Sequence, residues 1–146
     1  MRLDQVVAAL DAKGIQILNT FGRGWESIEI SRASLDSRDV EAGVVYVARK
    51  GGVVDGHAFI TSAVRAGCSA AIGSDELSDE MYAELRNLKT PYFRVHDSAM
   101  VLGEISAALC GYPSQRLAVV GVTGTNGKTT IATLLSEICG ALGDTS

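Results

Sequence analysis

Residues 117–130 read Leu117-Ala118-Val119-Val120-Gly121-Val122-Thr123-Gly124-Thr125-Asn126-Gly127-Lys128-Thr129-Thr130. The four apolar residues that open this stretch predict a short buried strand. Beyond it, Ile131, Leu134, Leu135, Ile138 and Leu142 recur at the spacing of one helical face. Strand, glycine-rich turn and helix, in that order, form the setting of a phosphate-binding loop. Its glycines let the backbone turn tightly and bring N–H groups up to phosphate oxygens. The helix N-terminus adds unsatisfied donors and the positive end of a dipole. In such a loop Lys128 reaches the outer phosphates, and the Thr129 hydroxyl completes the shell of a Mg²⁺ ion. A bare Gly-Lys-Thr is common, and the flanking strand and helix are what give this one weight. The usual pattern places a glycine five residues before the Gly-Lys pair, where this chain has Val122. Gly121 stands one residue earlier and Gly124 interrupts the loop, so this is a variant that argues against a generic P-loop NTPase or kinase.

Upstream, apolar segments alternate with turn signals. Leu3, Val6, Val7 and Leu10 mark a first helix, closed near Gly14. Ile28–Ile30 and Ser34-Leu35 read as short strands. Residues 44–48 form the strongest strand of this half, β-branched or aromatic at four of five positions. Asp55-Gly56 turns into a helix with Phe59, Ile60, Ala63 and Val64 facing inward, ended by Gly67. Ala70-Ala71-Ile72 reads as a strand, Met81, Leu85 and Leu88 as a helix, and residues 92–95 as a strand. Asp97 or Ser98 is expected to cap a helix carrying Val101, Leu102, Ile105 and Leu109, broken by Gly111-Tyr112-Pro113-Ser114. Strands alternating with helices predict an α/β fold, a mixed or partly parallel sheet with flanking helices.

The chain has 146 residues, 47% hydrophobic and 21% charged, the mix of a globular protein with a real core. A net charge of −4 and an isoelectric point near 5.1 argue against a nucleic-acid-binding face. Cys68, Cys110 and Cys139 lack metal-ligand spacing and read as buried or partly buried reduced thiols. The N-terminus lacks the apolar core of a signal peptide, and no apolar run approaches the ~18 residues that span a bilayer. These features predict a cytoplasmic protein with no membrane partner.

The Gly124-Thr125-Asn126-Gly127-Lys128-Thr129 loop resembles that of the Mur ligase superfamily, ATP-dependent enzymes that form amide bonds. Two branches carry an upstream module with Asp-Ser-Arg followed by Lys-Gly…Asp-Gly. This chain has Ser34-Leu35-Asp36-Ser37-Arg38, then Val45-Tyr46-Val47-Ala48-Arg49-Lys50-Gly51, then Asp55-Gly56-His57-Ala58-Phe59-Ile60. The Gly-Thr-Asn loop and Gly111-Tyr112-Pro113-Ser114 look more like the tripeptide synthetases than the branch adding D-alanyl-D-alanine. The resemblance covers residues from about Leu35 to Leu142.

What that resemblance implies is specific. Residues 1–111 form an N-terminal UDP-sugar-binding domain, 112–116 a linker, and 117–146 the first strand, P-loop and helix of a truncated ATP-binding domain. ATP is held by Gly124, Thr125, Asn126, Gly127, Lys128, Thr129 and Thr130, with Lys128 catalytic and Thr129 on Mg²⁺. The uridine end is held by Leu35 and Ser37, with Gly52, Val53 and Val54 in a loop that closes over it. The parent reaction passes a phosphoryl group from ATP to the D-glutamate carboxylate of UDP-N-acetylmuramoyl-L-alanyl-D-glutamate. The amine of meso-diaminopimelate or L-lysine then attacks the acyl phosphate. By itself the 146-residue chain is expected to be inactive, to bind only the uridine end, and to self-associate through the orphan strand and helix.

Bottom-up, Asp36-Ser37 after a strand is most often a turn whose side chains satisfy local backbone groups. Arg38 pairs either with a phosphate or with Asp36. His57 reads as a helix-start residue rather than a base, His96 as a surface or capping residue, and Trp25 as a local packing anchor. The rival class is a non-catalytic nucleotide-sugar-binding module.

Overall fold

A computed structural model describes residues 1–52 and 54–143. The chain divides into two units, Met1–Pro113 and Ser114–Ser146.

In the first unit five strands form one sheet in the order β1-β5-β4-β3-β2. These are β1 (Ile17–Phe21), β2 (Arg32–Ser34), β3 (Val44–Val47), β4 (Ala70–Gly73) and β5 (Tyr92–Val95). β2, β3, β4 and β5 run parallel, with Val45 opposite Ala70 and Ala71 opposite Tyr92, while β1 closes the edge antiparallel to β5. The sheet is therefore mixed, as the alternation of elements predicts.

β3 and β4 are buried at every position, because helices cover both faces of the sheet. On one face Val45, Val47, Ala70, Ile72, Phe93 and Val95 pack with α1 (Leu3–Ala12) and α4 (Val101–Leu109). On the other, Val44, Tyr46, Ala71 and Tyr92 meet α2 (Ile60–Arg65) and α3 (Asp79–Asn87). The period-2 alternation of the strand side chains sends each set to its own layer. Trp25 packs edge-on against Phe93, ring centroids 4.9 Å apart, as a local anchor.

Several expectations are corrected. Ile28–Ile30 is not a strand; an isolated bridge joins Glu29 to Arg2, and pairing with β3 begins at Arg32. β1 has no counterpart in the sequence reading. Phe59 does not face the core: it ends a 3-10 turn over Gly56–Phe59, just before α2, and is 41% exposed. Leu88 follows the end of α3 and is likewise exposed. Neither Asp97 nor Ser98 caps α4. Met100 holds that position, and Asp97 instead accepts from the Ala99 N–H. Cys68 is buried and Cys139 half-buried, but Cys110 is exposed; all three are free.

The second unit contains a 3-10 turn ending at Gln115, reached from Pro113, and α5 (Lys128–Ala141). The expected strand at Leu117–Val120 does not form. Leu117, Val119 and Val120 are 66–73% exposed. An apolar run becomes a strand only where a neighbour accepts and donates its ladder hydrogen bonds, and among the described residues none pairs with it. α5 forms where the periodicity places it, and its stripe of Ile131, Leu134, Leu135 and Ile138 lies open.

Candidate functional site

The parallel strands β2 and β3 both end at a cleft of about 840 Å³, a volume within the range of small-molecule sites. Open α/β sheets characteristically take ligands at the carboxyl ends of their strands. From the end of β2 come Leu35, Asp36, Ser37 and Arg38; from β3 come Tyr46, Arg49 and Gly51; Val54, Gly56, Phe59 and Ser62 complete the wall. The structure thus brings Leu35, Ser37 and Val54 together. Gly52 lies in the same connection without lining the cleft, and Val53 lies outside the described residues.

Local hydrogen bonding explains the shape of the β2 exit. The buried Ser34 hydroxyl accepts from the Asp36 N–H at 3.1 Å, and Asp36 Oδ1 accepts from the Arg38 N–H at 2.9 Å. These are the turn-forming bonds expected of Ser and Asp after a strand. Leu35 and Ser37 project from that turn, Leu35 41% exposed. The Ser37 hydroxyl has no hydrogen-bond partner among the described residues.

Arg38 pairs with Asp36, Nε to Oδ1 at 2.9 Å and Nη2 to Oδ2 at 2.8 Å. The side-chain bonds from Arg38, then its backbone N–H, hold the Asp36 carboxyl down at about 2. A carboxyl depressed on folding contributes stability above its unfolded value, near 4, and loses it as pH falls through the folded value. A carbon-detected titration should therefore place the Asp36 midpoint near 2, and Arg38→Gln should return it toward 3.8. An unchanged midpoint in the variant would remove Arg38 as the cause.

The β3 exit doubles back on itself. Lys50 and Asp55 form an isolated bridge, and the Gly51 N–H donates to Val54 O at 2.9 Å. Gly56 then packs on Arg49 so closely that a Cβ would lie 2.8 Å from both the N and O of Arg49. The Tyr46 hydroxyl donates to Gly56 O at 2.8 Å. Burial, followed by the charges of Asp36, Cys68 and Asp55, pushes its phenol up to about 12. Tyr46 is thus a neutral strut at physiological pH and not a proton carrier.

Asp55, His57 and Asp75 offer ligand atoms within 4.8 Å of one another, yet the geometry is that of a structural knot. His57 is buried, and its Nε2 accepts N–H bonds from Ser74 at 2.9 Å and Asp75 at 3.3 Å. Nδ1 therefore carries the proton, facing Asp55 Oδ1 at 2.6 Å. With both ring nitrogens engaged and Lys50 Nζ on Asp75 at 2.8 Å, the cluster has no lone pair to spare on the imidazole. His57 sits at the start of the 3-10 turn, one residue after Gly56; His96 is exposed.

In the second unit, Gly124 and Gly127 take positive φ of 150° and 79°, and Gly127 leads directly into α5. These are backbone conformations that favour glycine. Lys128 Nζ donates to Gly124 O at 2.5 Å and Thr125 O at 3.4 Å. Thr125, Asn126, Thr129 and Thr130 are exposed, and the Thr129 hydroxyl has no partner among the described residues. An exposed glycine turn with a lysine at the head of a helix suits phosphate oxygens, and a free threonine hydroxyl is a hard oxygen donor of the kind Mg²⁺ takes.

The sequence reading missed Tyr46, Arg49, Phe59 and Ser62 as cleft residues. Position on β3 or just beyond its end could have placed Tyr46 and Arg49 near its exit, but nothing in the local pattern distinguishes a cleft-facing Phe59 from a core one.

Fold and cleft together define an α/β protein of the helix-flanked-sheet class, with its ligand-sized cavity at the carboxyl ends of parallel strands. Residues 29–109, which include the cleft, match the Mur ligase family, catalytic domain, and the chain belongs to that family. It is 46% identical over 112 residues to the UDP-N-acetylmuramoyl-L-alanyl-D-glutamate--2,6-diaminopimelate ligase of Bacteroides fragilis, covering 77% of this chain and 22% of that protein. Against the ligase of the same name from Parabacteroides distasonis it is 39% identical over 143 residues, 98% of this chain and 27% of that one. A crystal structure of MurF from Acinetobacter baumannii superposes with a TM-score of 0.67 at 26% identity, covering 97% of this chain and 28% of that chain. MurF ligase from Thermotoga maritima in complex with ADP gives 0.51 at 32% identity, covering 75% and 23%. The chain spans about a quarter of the length of the curated relatives it matches.

Proposed function

We propose that this chain is the N-terminal quarter of a cytoplasmic, ATP-dependent ligase of cell-wall precursor synthesis. The reaction adds the third amino acid to UDP-N-acetylmuramoyl-L-alanyl-D-glutamate. 2,6-Diaminopimelate, named in the relatives, is the amine, with L-lysine the other candidate. Residues 1–111 take the uridine end of the substrate in the cleft, and residues 117–146 begin the ATP-binding domain beyond a linker at 112–116. The observation that carries this reading is the cleft itself, built by Leu35, Ser37 and Val54 inside the segment that matches the family. Leu35, Phe59 and Val54 offer apolar walls to a base or ribose, and the unpartnered Ser37 hydroxyl offers one hydrogen bond.

In the ATP-binding half, Gly124–Thr130 supply backbone donors, Lys128 a positive charge and Thr129 the oxygen that would hold Mg²⁺. Bound there with the nucleotide, Mg²⁺ would supply charge neutralisation for phosphoryl transfer. The chain's own part is to position the phosphates and offset their charge as the phosphoryl group passes to the substrate carboxylate.

Titration of the chain with UDP, followed by amide NMR, should move resonances at Leu35 and Ser37. Ser37→Phe should weaken binding by about 1–3 kcal/mol, through a lost hydrogen bond and a filled cleft mouth, without unfolding the domain. No shift near Leu35 or Ser37 would count heavily against the reading. Shifts confined to Gly124–Thr130 would favour a generic P-loop NTPase.

A second reading, the branch that adds D-alanyl-D-alanine to the UDP-muramoyl-tripeptide, is favoured by the superposition on MurF. Phosphate release by the complete enzyme decides between them: dipeptide plus diaminopimelate supports the first, tripeptide plus D-alanyl-D-alanine alone the second.

A further inference from the structure

Three cationic side chains follow the two strand exits that build the cleft, and two of them are already engaged. Arg38 is bonded to Asp36 by two parallel contacts. Lys50 Nζ lies 2.9 Å and 2.8 Å from the two carboxylate oxygens of Asp75. Arg49 differs. It lines the cleft, it is exposed, and among the described residues its guanidinium has no ion pair, hydrogen bond or ring contact. An unpaired arginine on a surface is ordinary; one fixed at the wall of a ligand-sized cavity is not. Its backbone is held from three directions. The preceding Ala48 N–H donates to Ile72 O at 2.7 Å, the Gly56 N–H donates to Arg49 O at 2.9 Å, and Lys50 is bridged to Asp55. The 2.8 Å approach of a Gly56 Cβ to Arg49 N and O shows how little room the segment has to shift.

Charge arithmetic at the cleft points the same way. The carboxylate among the lining residues, Asp36, is neutralised by Arg38. The net charge presented to a ligand is therefore that of Arg49. A guanidinium presents a planar fork that fits phosphate oxygens in pairs.

We propose that Arg49 is the phosphate-binding residue of the cleft, taking the diphosphate of a nucleoside-diphosphate ligand whose base and ribose lie toward Leu35 and Ser37. The proposal rests on the cleft being the nucleotide site described above. It goes further in naming one residue to which the sequence alone assigns no role and in assigning Arg38 the role of neutralising Asp36 instead of contacting phosphate.

Calorimetric titration of the 146-residue chain with uridine and with UDP, at low and moderate salt, tests it. Arg49→Gln should lower UDP affinity by about 10- to 100-fold, the range for a charge-assisted contact, while leaving uridine affinity unchanged. Arg49→Lys should fall between, because a point charge survives but the fork does not. The salt dependence of UDP binding should flatten in Arg49→Gln. Unaltered amide spectra of the variants, expected for an exposed side chain, confirm folding. If Arg49→Gln binds UDP as tightly as the parent, Arg49 is not the anchor although the cleft remains a nucleotide site. Should the parent chain bind neither uridine nor UDP, the nucleotide reading of the cleft falls, and this proposal falls with it.

Discussion

Lys128→Ala in the complete ligase proposed above is expected to lower amide formation by about 10²–10³-fold, the usual cost of removing one preorganised group that meets developing transition-state charge. UDP-sugar binding should survive, because the residues proposed for it belong to the other unit. Lys128 is the first residue of α5, and its Nζ rests on the carbonyl oxygens of Gly124 and Thr125. Those contacts hold the ammonium against the loop rather than out in solvent, so phosphate oxygens bound as proposed would find a cation already placed. The side chain is exposed, and its truncation touches no buried contact, so a lost rate would report on chemistry and not on folding. Lys128→Arg should recover little, since a bulkier planar group replaces a compact charge in a loop whose carbonyls it must also satisfy. Phosphate release coupled to dipeptide and diaminopimelate is the measurement. Normal turnover in Lys128→Ala would remove this loop from the ATP site.

The legible parts of this chain are those whose burial is visible locally. β3 and β4 are short, apolar and covered on both faces, and the sequence shows each as an unbroken run, while β5 shows the same pattern broken only by Arg94. β1 is different. Leu18, Asn19 and Thr20 are exposed on an edge strand, and its register shifts between Ile17 and Asn19, so no alternation marks it. Leu117–Val120 shows the converse. Its β-branched, apolar composition is that of a central strand, but composition cannot supply the neighbour whose ladder makes it one.

The site divides along the same line. The turn after β2 is legible locally, because Ser34, Asp36 and Arg38 build it from adjacent residues, whereas a role for Leu35 and Ser37 comes only from the resemblance. Whether an arginine is free cannot be read that way. Arg38 finds its carboxylate two residues back, Lys50 finds one twenty-five residues on, and Arg49 finds none among the described residues. That outcome is a property of the fold.

The largest loss of stability is expected at His57. The residue is 7% exposed, and four groups converge on its ring: the N–H groups of Ser74 and Asp75 and the Ser74 hydroxyl at Nε2, and the Asp55 carboxylate at Nδ1. The ring therefore ties the exit of β4 to the turn that follows the cleft. His57→Ala leaves two backbone donors without their acceptor and opens a hole beside Gly73. The combined cost should be about 2–4 kcal/mol, by unsatisfied donors and lost packing. Gly73→Ala presses on the same ring from the strand side. Its Cβ would meet the Tyr92 hydroxyl at 2.6 Å and His57 Nε2 at 2.8 Å, closer than atoms can sit. Alone it should destabilise by about 1–3 kcal/mol. In the His57→Ala background one of those two clashes is gone, so the second substitution should cost less there than in the parent. Such a shortfall is the signature of two residues in direct contact. Urea denaturation of the four proteins gives all the terms. A His57→Ala loss below about 0.5 kcal/mol, the level of an ordinary surface change, would show that the imidazole does not hold the β4 exit to the turn that follows the cleft.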